Sequence, residues 1–257
     1  MSVKIGLKLY STNSCYLRQA QELYDDGMYQ FIELLSVPES YEDTKKLWKN
    51  FKVPYVIHAP HISFEFNLSK REREPFNMKL ADEARRFADA LNAQYIIFHA
   101  GTEGELSETV RQLNMIDDSR KLVENKPYTT IDGVRRCIGG TAEDIGFILK
   151  NTNAGFCFDI GHAISYSHNI SRNWQESLKQ FVKLAPAMFH VSDGFLNTGK
   201  DTHDHIGTGD FEWGKILPMF SSEALVTMET KKDSRTSLED FVQDVKAFRS
   251  LEADQAG

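Results

Sequence analysis

The sequence predicts a (β/α)8 barrel, and three observations predict it. Short, nearly continuous apolar runs alternate with amphipathic stretches of helical period. Eight such runs fit within 257 residues, and side chains able to bind metal stand at the ends of six of them. A doubly wound parallel sheet is the other architecture that the alternation permits.

The strands are expected over residues 3–9, 30–35, 55–58, 95–99, 121–124, 155–159, 188–191 and 225–229, because each is a short apolar, β-branched or aromatic run. Between them lie helical periodicities, the first over about residues 16–24. Leu80, Ala84, Phe87, Ala88 and Leu91 share one helical face, as do Trp174, Leu178, Phe181 and Val182, and then Leu238, Phe241, Val242, Val245 and Phe248. These stripes read as packing faces. With no internal repeat or low-complexity segment, the expectation is one barrel domain over residues 1–257. The longest polar insertions, residues 61–77 and 192–212, each follow a strand-end histidine, where long loops usually shape a site.

Composition narrows the class. A content of 41% hydrophobic and 26% charged residues describes an ordinary soluble chain with a large core. No apolar run reaches membrane-spanning length, and the start Met-Ser-Val-Lys-Ile-Gly lacks the apolar stretch of a secretory signal, so a cytoplasmic protein with no membrane partner is expected; a monomer is expected as well, although no sequence feature fixes the oligomeric state. Cys15, Cys137 and Cys157 are odd in number and form no Cys-x-x-Cys pair, so neither a disulfide framework nor a thiolate zinc site is supported. The net charge of −7 argues against a surface that coats nucleic acid generally, but not against one local site.

The strand-end residues are His58, His99, Glu124, Asp159, His190 and Glu229. A lone strand-end histidine is more often a hydrogen-bonded structural residue than a ligand. Their accumulation argues otherwise, because unpaired carboxylates crowded at one barrel mouth would each cost several kcal/mol without cations. Asp159-Ile-Gly-His162 adds a ligand on the turn into the next helix. In Asp201-Thr-His203, alternate residues of an extended loop project the same way and can grip one ion. His61, His168 and His205 are read as non-ligands.

In order, His58-Ala-Pro, His99-Ala-Gly, Glu124-Asn, Asp159-Ile-Gly-His162, His190-Val-Ser-Asp193, Asp201-Thr-His203 with Ile206-Gly-Thr-Gly209, and Met228-Glu229-Thr230 resemble endonuclease IV, the zinc-dependent apurinic/apyrimidinic endonuclease of the xylose-isomerase-like TIM barrel superfamily. The resemblance runs nearly end to end. It implies that His58, His99 and Glu124 hold one metal, that Glu124 bridges to a second held by Asp159, His190 and Glu229, and that His162, Asp201 and His203 hold a third. Glu124 and Glu229 would be the catalytic carboxylates, three Zn2+ ions the cofactors (Mn2+ or Fe2+ being compatible with the same ligands), and DNA containing abasic sites the substrate, cut 5′ to the lesion in DNA repair.

The sequence departs from that family where a tyrosine usually follows His-Ala-Pro: here His61 stands in its place. His61, Phe64, Phe66, Lys70 and Arg71 are the candidates for substrate contact, although Lys-Arg-Glu-Arg-Glu equally suits a solvated helix start. After Glu124-Asn125 comes Lys126-Pro127-Tyr128 instead of the family's Thr-Ala-Gly. Two other functions fit parts of the pattern. A sugar or sugar-phosphate isomerase or epimerase of the same superfamily would use Glu124, Asp159, His190 and Glu229 around one metal, and a catalytically silent barrel would bind metal without cutting.

Overall fold

In a computed structural model describing residues 3–255, eight parallel strands close into a barrel in sequence order: β1 (Lys4–Tyr10), β2 (Phe31–Leu35), β3 (Tyr55–His58), β4 (Ile96–His99), β5 (Lys121–Glu124), β6 (Gly155–Asp159), β7 (Met188–Val191) and β8 (Leu225–Met228). Closure comes from β1 pairing with both β2 and β8, for example Gly6 with Phe31 and Gly6 with Thr227. The doubly wound alternative is thereby excluded. The expected strands shift only at their ends: β1 runs one residue later, β2 and β4 start one residue later, and β8 stops at Met228, leaving Glu229 just beyond it.

Helices cover the outside: α1 (Leu17–Asp25), α2 (Tyr41–Asn50), α3 (Glu74–Leu91), α4 (Leu106–Met115), α5 (Ala142–Asn151), α6 (Ile160–Asn169), α7 (Trp174–Val182), α8 (Trp213–Ile216) and α9 (Glu239–Asp254). The apolar stripes seen in the sequence pack inward, with Leu80, Phe87, Leu178, Phe181, Phe241 and Phe248 all buried between helices and barrel. Buried Lys121 donates to the carbonyls of Leu113 and Ile116 at 2.7 and 2.5 Å, placing its ammonium at the negative end of α4.

The barrel interior is layered. Phe31, Val56, Ile97, Leu122, Cys157 and Met188 form their own buried cluster, and Gly6 leaves room for the Phe31 ring, which would lie 2.4 Å from an added Cβ. Because strand side chains alternate faces, the residues two positions further along point into the same lumen. Those residues are Lys8, Glu33, His58, His99, Glu124, Asp159 and His190. An apolar plug therefore lies directly beneath a polar ring.

Two loops differ from expectation. Of the insertion 61–77, the last residues already belong to α3, which begins at Glu74, and two short 3-10 turns occupy Ile62–Phe64 and Arg71–Arg73. The β5–α5 connection, marked in the sequence only by the change to Lys126-Pro127-Tyr128, is a third long loop with antiparallel bridges Thr129–Arg136 and Thr102–Cys137.

Candidate metal centre

The polar ring and two loop segments bring nine side chains together in three groups whose possible ligand atoms lie within 4.8 Å of one another: His58, His99 and Glu124; Glu124, Asp159, His190 and Glu229; and His162, Asp201 and His203. Glu124 belongs to two groups. Six of these residues stand at or next to strand ends. The others need local devices. Asp159 caps α6 by accepting from the His162 backbone N–H at 2.7 Å, which fixes His162 one helical turn in. Loop 192–212 is drawn across the mouth by the Asp193 carboxylate, which accepts from the backbone N–H of Gly194 and Gly207 and from Trp213 Nε1, while Asp193 and Asp204 pair as a bridge. His203 lies in the left-handed region at φ 48°, a strain offset by its Nδ1–H donating to the Glu229 carbonyl at 2.7 Å.

Hydrogen-bond partners orient the imidazoles. His58 Nδ1 faces the Ala59 carbonyl at 2.6 Å, His162 Nδ1 the Asn125 carbonyl at 2.9 Å, and His190 Nε2 the Glu33 carboxylate at 2.7 Å. Since only an N–H can make these contacts, the other nitrogen of each neutral ring carries a lone pair. Those lone pairs face carboxylates: His58 Nε2 lies 3.2 Å from Glu124 Oε2, His162 Nε2 3.1 Å from Asp201 Oδ2, and His190 Nδ1 2.6 Å from Glu229 Oε2. His203 Nε2 is likewise 2.8 Å from Asp201 Oδ2.

Acceptor facing acceptor at such distances repels unless a proton or a cation lies between. His190 Nδ1 and Glu229 Oε2 are indeed buried without a hydrogen-bond partner. The donor set, imidazole nitrogens and carboxylate oxygens with a hydrogen-bonded outer layer, fits zinc and related divalent ions.

The electrostatics of the metal-free chain agree. Burial alone would lower the pKa of His190, but neighbouring acidic groups, Glu33 and Glu229 among them, raise it well above its usual value. Burial likewise opposes protonation of His203, and Asp201 overcomes it, raising the pKa to about 9. Asp159 shows the opposite strain: burial first, then Glu229, Asp201 and Glu124, hold its carboxyl above the usual range. Protons thus occupy positions that positive ions would stabilise.

Sequence reasoning missed three participants. Glu33, fully buried, also accepts from Thr227 Oγ1 at 2.7 Å. Lys8 Nζ lies 2.5 Å from Glu229 Oε1 and 3.2 Å from Glu33 Oε1. Lys126 Nζ contacts Glu124 Oε1 at 3.0 Å and His99 Nε2 at 3.2 Å. The period-two step from the apolar layer would have found Lys8 and Glu33. Lys126 stands in a loop, where no periodicity marks it.

The cluster opens into a cavity of about 820 Å3 whose lining includes Lys8, His61, Lys126, His203, Glu229 and Arg235. Of the candidates for substrate contact, His61 and Phe66 line this cavity, the pKa of His61 lowered to about 3 by burial and then by His58. Phe64 packs against the His61 ring at 5.1 Å without lining the cavity. Phe66 is only 1% exposed and packs its ring on Phe98. Lys70 and Arg71 are not among the lining residues; they sit at the turn that leads into α3. His168 is exposed near the end of α6, and His205 is held by Asp244 at 3.0 Å and Asp233 at 3.2 Å.

Fold and site together define a parallel barrel with a mouth whose side chains could hold several metal ions. Residues 20–251 match the model of the xylose isomerase-like TIM barrel family, and the chain belongs to that family. The relatives bear out the resemblance to endonuclease IV. "Probable endonuclease 4" of Aquifex aeolicus is 27% identical over 179 residues, 63% of this chain and 63% of the relative. The protein of that name from Persephonella marina is 24% identical over 237 residues, 80% of this chain and 82% of the relative. The chain thus spans just under two thirds of the Aquifex protein's length. Among solved structures, endonuclease IV from Thermus thermophilus superposes with a TM-score of 0.70 at 19% identity, covering 98% of this chain and 99% of that one. A D-tagatose 3-epimerase-like protein superposes with a TM-score of 0.73 at 18% identity, covering 99% of this chain and 98% of that one. At such identities the superpositions speak for the fold alone.

Proposed function

We propose that this chain is a metal-dependent phosphodiesterase of the endonuclease IV kind, hydrolysing DNA 5′ to abasic sites with three divalent ions, zinc first among them, held by the nine residues. The observation that carries this reading is the third group. A one-metal isomerase leaves His162, Asp201 and His203 without a shared purpose, yet a strained loop residue and a capped helix turn join them to the others.

Ions so held supply Lewis acidity toward a phosphodiester and bring the pKa of water from about 16 toward roughly 7. The chain's residues do the rest. Glu124 links two groups and fixes their separation; Glu33 keeps the His190 proton on Nε2; the Asn125 and Glu229 carbonyls do the same for His162 and His203 on Nδ1. Four ligand carboxylates against three dications leave a local surplus of two positive charges, which attracts a phosphodiester despite the net charge of −7. Lys126, beside Glu124 and His99, adds an ammonium at the same mouth.

A duplex with one synthetic abasic site tests the reading: a nick 5′ to the lesion that needs divalent metal supports it, and an intact duplex in the presence of three bound ions refutes it. A second reading, a one-metal sugar isomerase or epimerase, draws on Glu124, Asp159, His190 and Glu229 as a complete ligand set with Lys8 against Glu229. It requires turnover of a sugar and no nicking.

A further inference from the structure

The register of β1 sets Lys8 between two acids. It lies directly opposite Glu33 on β2, and because Leu7 pairs with Met228 on β8, one step further brings Lys8 beside Glu229. Its ammonium contacts one oxygen of each, Glu229 Oε1 at 2.5 Å and Glu33 Oε1 at 3.2 Å. Among the described residues Lys8 is the one ion-pair partner of Glu33 Oε1, while Glu33 Oε2 accepts from His190 and Thr227. An ammonium shared in this way cannot leave either acid without stranding a charge away from water.

The two oxygens of Glu229 are thereby divided. Oε1 faces Lys8, and Oε2 faces His190 Nδ1 at 2.6 Å, within the group completed by Glu124 and Asp159. The main chain of Glu229 is held as firmly, its N–H donating to the Val191 carbonyl at 2.8 Å and its carbonyl accepting from His203 Nδ1 at 2.7 Å. With the backbone fixed, a grip on one ion by both carboxylate oxygens requires Oε1 to give up a charge-assisted bond. Four residues that give one atom each leave a free position on a divalent ion able to take a fifth ligand, and the second oxygen of Glu229 would fill it.

We infer that Lys8 is a positioning residue that restricts Glu229 to ligation through one oxygen, and so keeps a coordination position free on the ion shared by Glu124, Asp159, His190 and Glu229. This inference rests on reading Glu229 as a metal ligand and adds what keeps that ion open to a small donor molecule. Such a molecule has a route, since Lys8 and Glu229 both line the mouth cavity.

The test uses the whole chain loaded with cobalt, whose visible absorption weakens as its coordination number rises, and imidazole as the added ligand. Imidazole as the free base is neutral, so its binding is insensitive to the charge that a substitution at Lys8 removes. The wild-type spectrum should change saturably with imidazole. Lys8→Met should bind the same number of cobalt ions, absorb more weakly, and take up imidazole at least about tenfold less tightly, the lower end of what outer partners of a metal ligand usually contribute. Lys8→Arg keeps a cationic donor between the two carboxylates and should recover the wild-type spectrum and imidazole response; it serves as the test by itself where Lys8→Met does not fold. A Lys8→Met protein with the wild-type spectrum and imidazole affinity overturns the role of Lys8, as does a Lys8→Arg protein with a weakened spectrum. Loss of a cobalt ion from Lys8→Met also overturns it, because Lys8 would then build the site and not set how Glu229 binds. A wild type that holds no cobalt overturns the reading of Glu229 as a ligand, whereas a wild type that holds cobalt and ignores imidazole overturns only the free position.

Discussion

Replacing Glu33 with glutamine tests whether the ring beneath the metal centre holds it in shape. Glu33 belongs to none of the three ligand groups. It accepts the His190 N–H at 2.7 Å and the Thr227 hydroxyl at 2.7 Å, and it lies 3.2 Å from the Lys8 ammonium. The amide oxygen can still accept one of these bonds, but a charge-assisted bond of about 1.5–3 kcal/mol becomes a neutral one of about 0.5–1.5 kcal/mol. The difference, about 1–1.5 kcal/mol, corresponds to roughly a tenfold loss of affinity at the ion that His190 holds, within the about 10- to 100-fold range typical of such outer partners. Competition against a chromophoric chelator, with cobalt replacing zinc so that the visible spectrum reports each site, should show one weakened ion and two unchanged. If all three bind as in the wild type, Glu33 does not set the His190 proton, and the polar ring does not shape the metal site.

His203→Ala should abolish nicking while leaving the melting temperature of the chelator-treated protein within a few degrees above about pH 9, where the charged Asp201–His203 pairing no longer contributes, because the side chain lies at the mouth and not in the core; full activity would remove His203 from the centre. Lys126→Ala should tighten binding at the His58–His99–Glu124 group by at least about tenfold, since an ammonium 3.0 Å from Glu124 and 3.2 Å from His99 competes with a dication for the same atoms; isothermal titration would show it. Without metal, His203 binds its proton more tightly folded than unfolded. That stabilisation is complete below about pH 6.5 and disappears as pH rises through about 9, so chelator-treated protein should melt progressively lower across this window while metal affinity increases over it. A flat melting profile would contradict the Asp201–His203 pairing.

Much of this was legible because a parallel barrel writes its geometry into short strands. Tyr55–His58, Lys121–Glu124, Gly155–Asp159 and Met188–Val191 have the ends expected of them, and a ligand at or next to the end of a strand necessarily faces the mouth. What escaped notice depended on long-range partners. Glu33 sits within Phe-Ile-Glu-Leu-Leu, where a single acid resembles an ordinary interruption until β1 and β7 bring Lys8 and His190 to it. Phe66 is the converse. The sequence places it beside a reading loop, but Asn67, bonded to Asn77 and Thr102, pulls that stretch down so that the ring meets Phe98. The β5–α5 loop carried no periodic signal, and its bridges form only between segments already positioned by the barrel.

The proposed function stands on nine side chains, from strand ends and two loop segments, caging three divalent cations around Glu124. Native mass spectrometry of protein purified without chelators, alongside elemental analysis, measures this directly. About three ions per chain are expected, one for each group and all removable by a strong chelator. A single ion per chain, unchanged by added zinc, would contradict the cage.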